Sequence, residues 1–356
     1  MRVLVAPDKF AGTLSAVEAA EAIAEGWRRH APDDEMDLLP MSDGGPGFVQ
    51  VLSAALGGSL EPVVVRGPFG DPVPAELLLV GDTAYIESAQ ACGIDLTGAE
   101  NAESASTYGV GELVLAAREA GARTVVVGLG GSGTNDGGAG LLAALGATAD
   151  RPLDAGVAAL AGITRLDVPE AGVALVAASD VDNQLTGLFG ATKTFGPQKG
   201  IPEERLPAVD GLLEELARAA GPRTALEKGA GAAGGLGYAL LLLGATRRPG
   251  IELVAEATNL AARARLADLV VTGEGAFDFS SRAGKVPYGV ASVAAEAIRP
   301  CVALAGQVLV GSREMRALGV ESAYSLVDLV GKDRAFADPA GALAELAARV
   351  ARTWSP

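Results

Sequence analysis

The chain is short of the side chains that carry much enzyme chemistry. Its 356 residues include one histidine, His30, and two cysteines, Cys92 and Cys301. A single imidazole cannot build a two-histidine metal centre. His30 also falls at the expected C-terminal end of the first helix, far in sequence from every glycine-rich loop, where a surface role suits it. A Ser–His triad is therefore set aside, and proton transfer is left to Asp, Glu or Lys. The cysteines sit in apolar runs and fit a reducing cytoplasm better than a disulfide framework. Positive charge is scarce too: 28 Lys and Arg stand against 44 Asp and Glu, a formal net charge of −16. That balance argues against nucleic acid and anionic membranes. It does not argue against a small anionic substrate, since one loop can be positive while the whole is acidic.

Other absences narrow the field further. No Gly-Lys is followed by Ser or Thr: the order is reversed at Lys199-Gly200, Val286 follows Gly284-Lys285, and Asp333 follows Gly331-Lys332. A P-loop nucleotide site is thereby excluded. Asp8 and Lys9 interrupt the first apolar run, so no signal peptide is expected. The most apolar later stretch, Gly234–Ala245, is too short and glycine-rich to span a membrane.

What the chain does have is one local design used six times: an apolar run that stops at a loop of glycine and small polar or charged residues. Val3-Leu4-Val5 meets Ala6-Pro7-Asp8-Lys9, and Leu38-Leu39 meets Pro40–Gly45. Val125–Val127 meets the glycine-dense Gly128–Gly138, and Val173–Ala178 meets Ser179–Asn183. Leu269–Val271 meets Thr272–Asp278, and Val302–Ala305 meets Gly306-Gln307. Ligands of open α/β sheets bind beyond the carboxyl ends of the strands, so these loops are expected to meet in one cleft. The apolar fraction of 49% suffices for one large or two medium domains.

The rhythm along the chain gives the layout. Ser15 and Glu18 have capping-box spacing, with Ala16, Ala20, Ile23 and Trp27 on one helical face. A strand follows at Met36–Leu39, then a helix expected to begin at Pro46. Leu60–Arg66, Ala75–Val80 and Thr83–Glu87 read as an antiparallel meander. A helix near Tyr108–Ala120, the strand Thr124–Val127 and the strand Val173–Ala178 come next. From Asp268 the strand–helix alternation returns to the end of the chain. The architecture expected is α/β. A discontinuous parallel-sheet domain, 1–66 and 263–356, holds an inserted mixed-sheet domain, 67–262.

Three sets of residues suggest chemistry. The glycine-dense loop can offer backbone N–H groups to an anion at the start of a helix. Gly229–Gly237 contains Gly-x-Gly-x-x-Gly without a clear preceding strand, so it reads as a close-packed or phosphate-facing helix start, not a dinucleotide fingerprint. Asp8, Asp43, Asp136, Asp180, Asp182, Glu274 and Asp278 follow apolar runs; each alone could cap the next helix, but together they suit Mg²⁺ and a base. Lys9, Lys193, Lys199 and Lys285 add positive charge. Positioned oxygens, metal, cations and a base are the parts of phosphoryl transfer.

At this point the chain resembles the type 1 glycerate kinase family. The likeness rests on Ala6–Phe10 with Gly12–Ser15, Pro40-Met41 with Asp43–Gly45, and Ile86-Glu87 with Ala89–Ala91. It extends through Tyr108-Gly109 with Gly111–Leu113, Gly130–Ser132 with Thr134–Gly138, Asp180–Asn183, Phe195–Gly200 and Gly229–Gly237. It ends on Thr272–Gly275, Asp278, Ser281 and Gly284-Lys285 with Pro287. The resemblance implies a flavodoxin-like domain with an inserted domain resembling restriction endonucleases. It also implies phosphorylation of D-glycerate by ATP with Mg²⁺, with 2-phosphoglycerate favoured.

Under that resemblance, Asp8, Lys9, Asp43, Asp180 and Lys285 are the expected catalytic residues, and Asp180 and Asp182 the expected metal ligands. Gly44, Gly45, Gln90, Gly130, Gly131, Ser132, Asn135, Asp136, Lys199 and Glu274 are expected to bind substrate or phosphate. The chain departs from the family pattern at Ala11, Pro46, Phe48 and Ala276. These departures keep two alternatives open: a kinase of a related hydroxy acid, and a non-catalytic binder of small acids. Homodimerisation is left open.

Overall fold

The computed structural model describes residues 1–10, 12–278 and 285–355. Ala11, Ser281 and Gly284, singled out above, lie outside the described residues. The chain divides into two compact units, Met1–Asp43 with Gln50–Leu56 and Gly250–Pro356, and Gly44–Val49 with Gly57–Pro249.

The first unit is built on five parallel strands: Arg2–Val5, Glu35–Leu38, Leu269–Phe277, Cys301–Val308 and Ser322–Ser325. Numbered in chain order, they lie side by side as 2-1-3-4-5. This is the flavodoxin-like order, whose direction reverses between the first and third strands. The central strands are buried on both faces and read as runs of Val, Leu and Ala for that reason. Val3, Val5, Val271, Val302 and Leu304 meet Ile23 and Trp27 of the helix Ala16–His30. The capping box forms as its spacing predicts: the Glu18 N–H donates to Ser15 Oγ, and the Ser15 N–H donates to Glu18 Oε2. His30 ends this helix, exposed.

The second unit holds a six-stranded mixed sheet. Ser59–Arg66, Pro72–Val80 and Thr83–Glu87 pair antiparallel as a meander. Thr83–Glu87 then continues in parallel with Thr124–Gly128, Ala174–Ala178 and Thr246–Arg248. Its core gathers residues such as Ile86, Val125, Val127, Leu141 and Leu213.

Several expectations need correction. Ser59–Arg66, assigned above to the first domain, pairs with Pro72–Val80. Thr246–Arg248 is a strand that its short polar sequence did not announce. The helix expected at Pro46 begins at Phe48, because Gly47 has φ +94° and the preceding residues form a turn. Thr272–Phe277, read above as loop, continues the strand from Leu269. Its pairing with Cys301–Val308 persists to Phe277↔Val308, so backbone pairing extends the strand through Glu274 and Gly275.

Candidate active site

In the first unit the chain crosses the reversal point of the sheet at Asp8. The Asp8 N–H donates to the Gly273 carbonyl at 2.8 Å, holding the loop after the first strand against the third. The Lys9 Nζ lies 3.4 Å from Asp8 Oδ1 and 3.7 Å from Asp43 Oδ1. The Lys285 Nζ lies 3.7 Å from Glu274 Oε2 and 3.9 Å from Asp278 Oδ1. All six side chains therefore gather at the carboxyl end of one sheet, where α/β proteins bind ligands. The ion pairs are longer than tight charge-assisted bonds of about 2.8 Å. Phosphate oxygens can therefore compete for both ammonium groups. Asp8 is 6% exposed, and burial pushes its carboxyl up to about 7, with the charges of Asp43 and Glu274 adding to the rise and Lys9 opposing it.

In the second unit, Glu87, Gly128, Ala178 and Arg248 lie in register across the parallel strands. The loops beyond them line up at one sheet edge. A cavity of about 310 Å³ opens there, lined by Gly130, Gly131, Ser132, Phe195, Gln198 and Lys199 among others. Lys199 is 2% exposed. Its ammonium donates to Ser132 Oγ at 2.9 Å and to the Thr134 carbonyl at 2.7 Å. An ammonium has three donors, so one is left for a ligand. Burial lowers the Lys199 pKa to about 8, opposed by Cys92 and Asp136. No described carboxylate pairs with it, so a buried cation lines a small, mostly apolar cavity with Ser132 and Gln198 as its other polar side chains.

The glycine-dense loop owes its composition mostly to packing. A Cβ on Gly130 would strike the backbone of Gly45, and the Gly130 N–H donates to the Gly44 carbonyl. A Cβ on Gly234 would strike the Thr134 carbonyl, so Gly229–Gly237 is the close-packed helix start. The N–H groups of Gly133 and Gly137 are also taken, by the Cys92 and Gly234 carbonyls. The amides expected to face an anion are in large part used internally, and the buried positive charge beside them is Lys199.

Other expected contacts have structural roles. Asp136, expected to orient substrate, is fully buried. It accepts from the Thr107 N–H and Oγ1, both at 2.8 Å, and from the N–H groups of Gly138 and Gly140 at 3.0 and 3.2 Å. Burial raises its pKa and these bonds oppose the rise. Removing it strands several donors. Asp136→Ala is expected to cost more than about 3 kcal/mol in a urea unfolding titration. Asn135 Nδ2 donates to Thr192 Oγ1 at 2.9 Å within the interior. Gln90 Oε1 accepts from the Glu76 N–H at 2.7 Å, bracing a strand. Asp182, expected to bind metal, is paired with Lys228 at 3.1 Å and Arg247 at 2.7 Å. The bond from Lys228 and the charge of Arg247 hold its pKa low. Asp180 is half-buried at the end of its strand.

Glu87 is a site-edge residue for which no role was expected above. It is buried and accepts from the Gly47 and Phe48 N–H groups at 2.9 and 3.0 Å, capping the helix that begins at Phe48. A strand-terminal Glu carries no sequence sign of such burial. Phe48 is itself core, edge-on to Tyr85 with ring centroids 6.3 Å apart. At Gly131, a Cβ would strike the ring of Pro46. Two of the departures from the family pattern thus serve packing.

A family model described as the glycerate kinase family matches residues 3–355. The chain belongs to the glycerate kinase family. It is 40% identical to the glycerate kinase of Bacillus subtilis (strain 168), over 92% of this chain and 90% of that one. It is 37% identical to the glycerate 2-kinase of Escherichia coli (strain K12), over 94% and 93%. A crystal structure from Salmonella typhimurium LT2, of a protein proposed to be glycerate kinase 2, superposes with a TM-score of 0.79 at 35% identity, covering 99% of this chain and 98% of that one. Among the described residues, no helix is long and apolar enough to cross a membrane.

Proposed function

We propose that this chain is a glycerate kinase, transferring the γ-phosphoryl group of ATP to a hydroxyl of D-glycerate, O2 in preference to O3. Family membership supports the reaction, and the glycerate 2-kinase relative supports the position. The observation that carries the substrate class is Lys199. A buried ammonium with a donor to spare, lining a cavity of about 310 Å³, suits the carboxylate of a short organic acid.

In this reading Lys9 and Lys285 neutralise phosphate oxygens, and Asp8 takes the proton of the reacting hydroxyl as that oxygen bonds to phosphorus. The bond from phosphorus to the β-phosphate oxygen breaks and ADP leaves. A base works best with a pKa near the working pH, which the buried Asp8 meets. Asp43 and Glu274 keep Asp8 poised.

Mg²⁺ belongs to the proposal through the donor set. Among the described residues, no group of three His, Cys, Asp or Glu is placed to cage a metal. Mg²⁺ on a nucleotide needs only one or two carboxylates, taking its other ligands from phosphate and water. In this reading Asp180, half-buried just beyond its strand, is the carboxylate that would hold it. The ion would supply charge neutralisation on the transferring phosphoryl group.

A coupled assay of ADP release tests the reading. D-Glycerate is expected to stimulate release, and glycerol, which lacks the carboxylate, is not. Equal rates with glycerol, or no stimulation by D-glycerate, overturn it. The pH profile of kcat/KM for glycerate is expected to be bell-shaped. Activity rises as Asp8 loses its proton near pH 7 and falls as Lys199 loses its own near pH 8. A profile flat from pH 6 to 9 on the order of one tenfold step contradicts both assignments.

A further inference from the structure

A second cavity, of about 230 Å³, lies in the first unit over the carboxyl ends of three adjacent parallel strands. Its wall includes Phe10, Gly275, Ala276, Gln307, Leu326 and Phe336. Phe10 is buried, whereas Phe336 is 60% exposed at the rim. The roles assigned above leave this cavity without an occupant.

Two peptide bonds tie its wall to the charged cluster. Phe10 follows Lys9, and Gly275 follows Glu274. Consecutive Cα atoms are about 3.8 Å apart, so an apolar slot and a pair of phosphate-seeking lysines share one backbone framework. The volume is also informative. Whole ligand sites commonly run to about 300–1,000 Å³, so this one fits a single planar ring system with the rest of the ligand outside. A closely apposed strand pair forms part of the wall: a Cβ on Gly306 would strike the Gly275 carbonyl, so the surface there stays flat backbone. Gln307 is half-buried and lines the slot. No described hydrogen bond uses its side-chain amide, which carries both donors and an acceptor. That combination matches the edge of an adenine, which Gln can contact with two hydrogen bonds. Aromatic rings and aliphatic side chains accept a base by stacking and burial.

We propose that this slot is the purine subsite, holding the adenine ring of ATP while the triphosphate extends to Lys9 and Lys285. The assignment rests on the kinase reading above and adds the position of the nucleotide. Stacking against the apolar wall supplies affinity, and Gln307 supplies orientation.

Two variants and one label test it. Ala276→Trp fills the slot and is expected to weaken binding of a ribose-labelled fluorescent ATP at least about tenfold, with KM for D-glycerate within about twofold of wild type. Gln307→Ala, which removes no core side chain, is expected to weaken it about threefold to tenfold. Circular dichroism establishes that each variant is folded. Photolabelling of wild type with 8-azido-ATP is expected to modify peptides containing Phe10, Gln307 or Phe336. Unchanged nucleotide affinity in both folded variants, or labelling confined to other peptides, overturns the subsite. Failure of the kinase reading looks different: the wild type would bind and be labelled at this slot yet release no ADP in response to glycerate.

Discussion

Asp8→Asn is expected to lower kcat about 10³-fold while raising the melting temperature at pH 8. Both effects come from one buried carboxyl. Loss of a positioned base costs about 10²–10⁴ in rate, and asparagine keeps the shape without accepting the proton. The stability sign follows from linkage. An unfolded Asp ionises near pH 4, whereas Asp8 in the fold ionises at about 7. Between those values the folded state binds a proton that the unfolded state lacks, so stability falls as pH rises through the window. Above pH 7 the full penalty is present, and a neutral side chain removes it. A gain of about 1–3 kcal/mol is expected, allowing for relaxation around the charge. Thermal melts at pH 4 and pH 8 check this: the variant's advantage is expected at pH 8 and not at pH 4. A variant that keeps full turnover, or is no more stable at pH 8, counts against the role.

Lys199→Met is expected to raise KM for D-glycerate about 100-fold and to leave the affinity for ATP within about threefold. Methionine fills the space of the lysine stem and removes a buried charge. It strands Ser132 Oγ and the Thr134 carbonyl, at a cost of about 1–2 kcal/mol. Steady-state kinetics with each substrate varied in turn separates substrate loss from general damage. If glycerate KM stays within threefold of wild type, the ammonium is only a brace for the loop.

Much of this molecule was legible in its sequence, because apolar strands ending in charged loops report both the sheet and its functional edge. Asp8, Lys9, Asp43 and Glu274 were read as strand-end residues and Lys285 as added positive charge, and they do gather at one sheet end. The capping box at Ser15 needed only its spacing. Glycine was less informative. Gly130 and Gly234 satisfy close backbone approaches between segments distant in sequence, which a single chain does not display. The partners that Asp136 and Asp182 take within the protein were hidden for a related reason: Thr107 in one case and Lys228 and Arg247 in the other lie 29, 46 and 65 residues away. Lys199 was read as one of four lysines adding positive charge, but its burial came only from the fold.

The phosphorus NMR spectrum of a reaction mixture tests the central claim most directly. Purified protein with ATP, Mg²⁺ and D-glycerate is expected to give ADP and one new phosphomonoester resonance, split into a doublet by the single hydrogen on C2. A triplet would place the phosphate on O3 and contradict the assigned position. Persistence of the ATP signals with no new monoester would contradict the kinase itself.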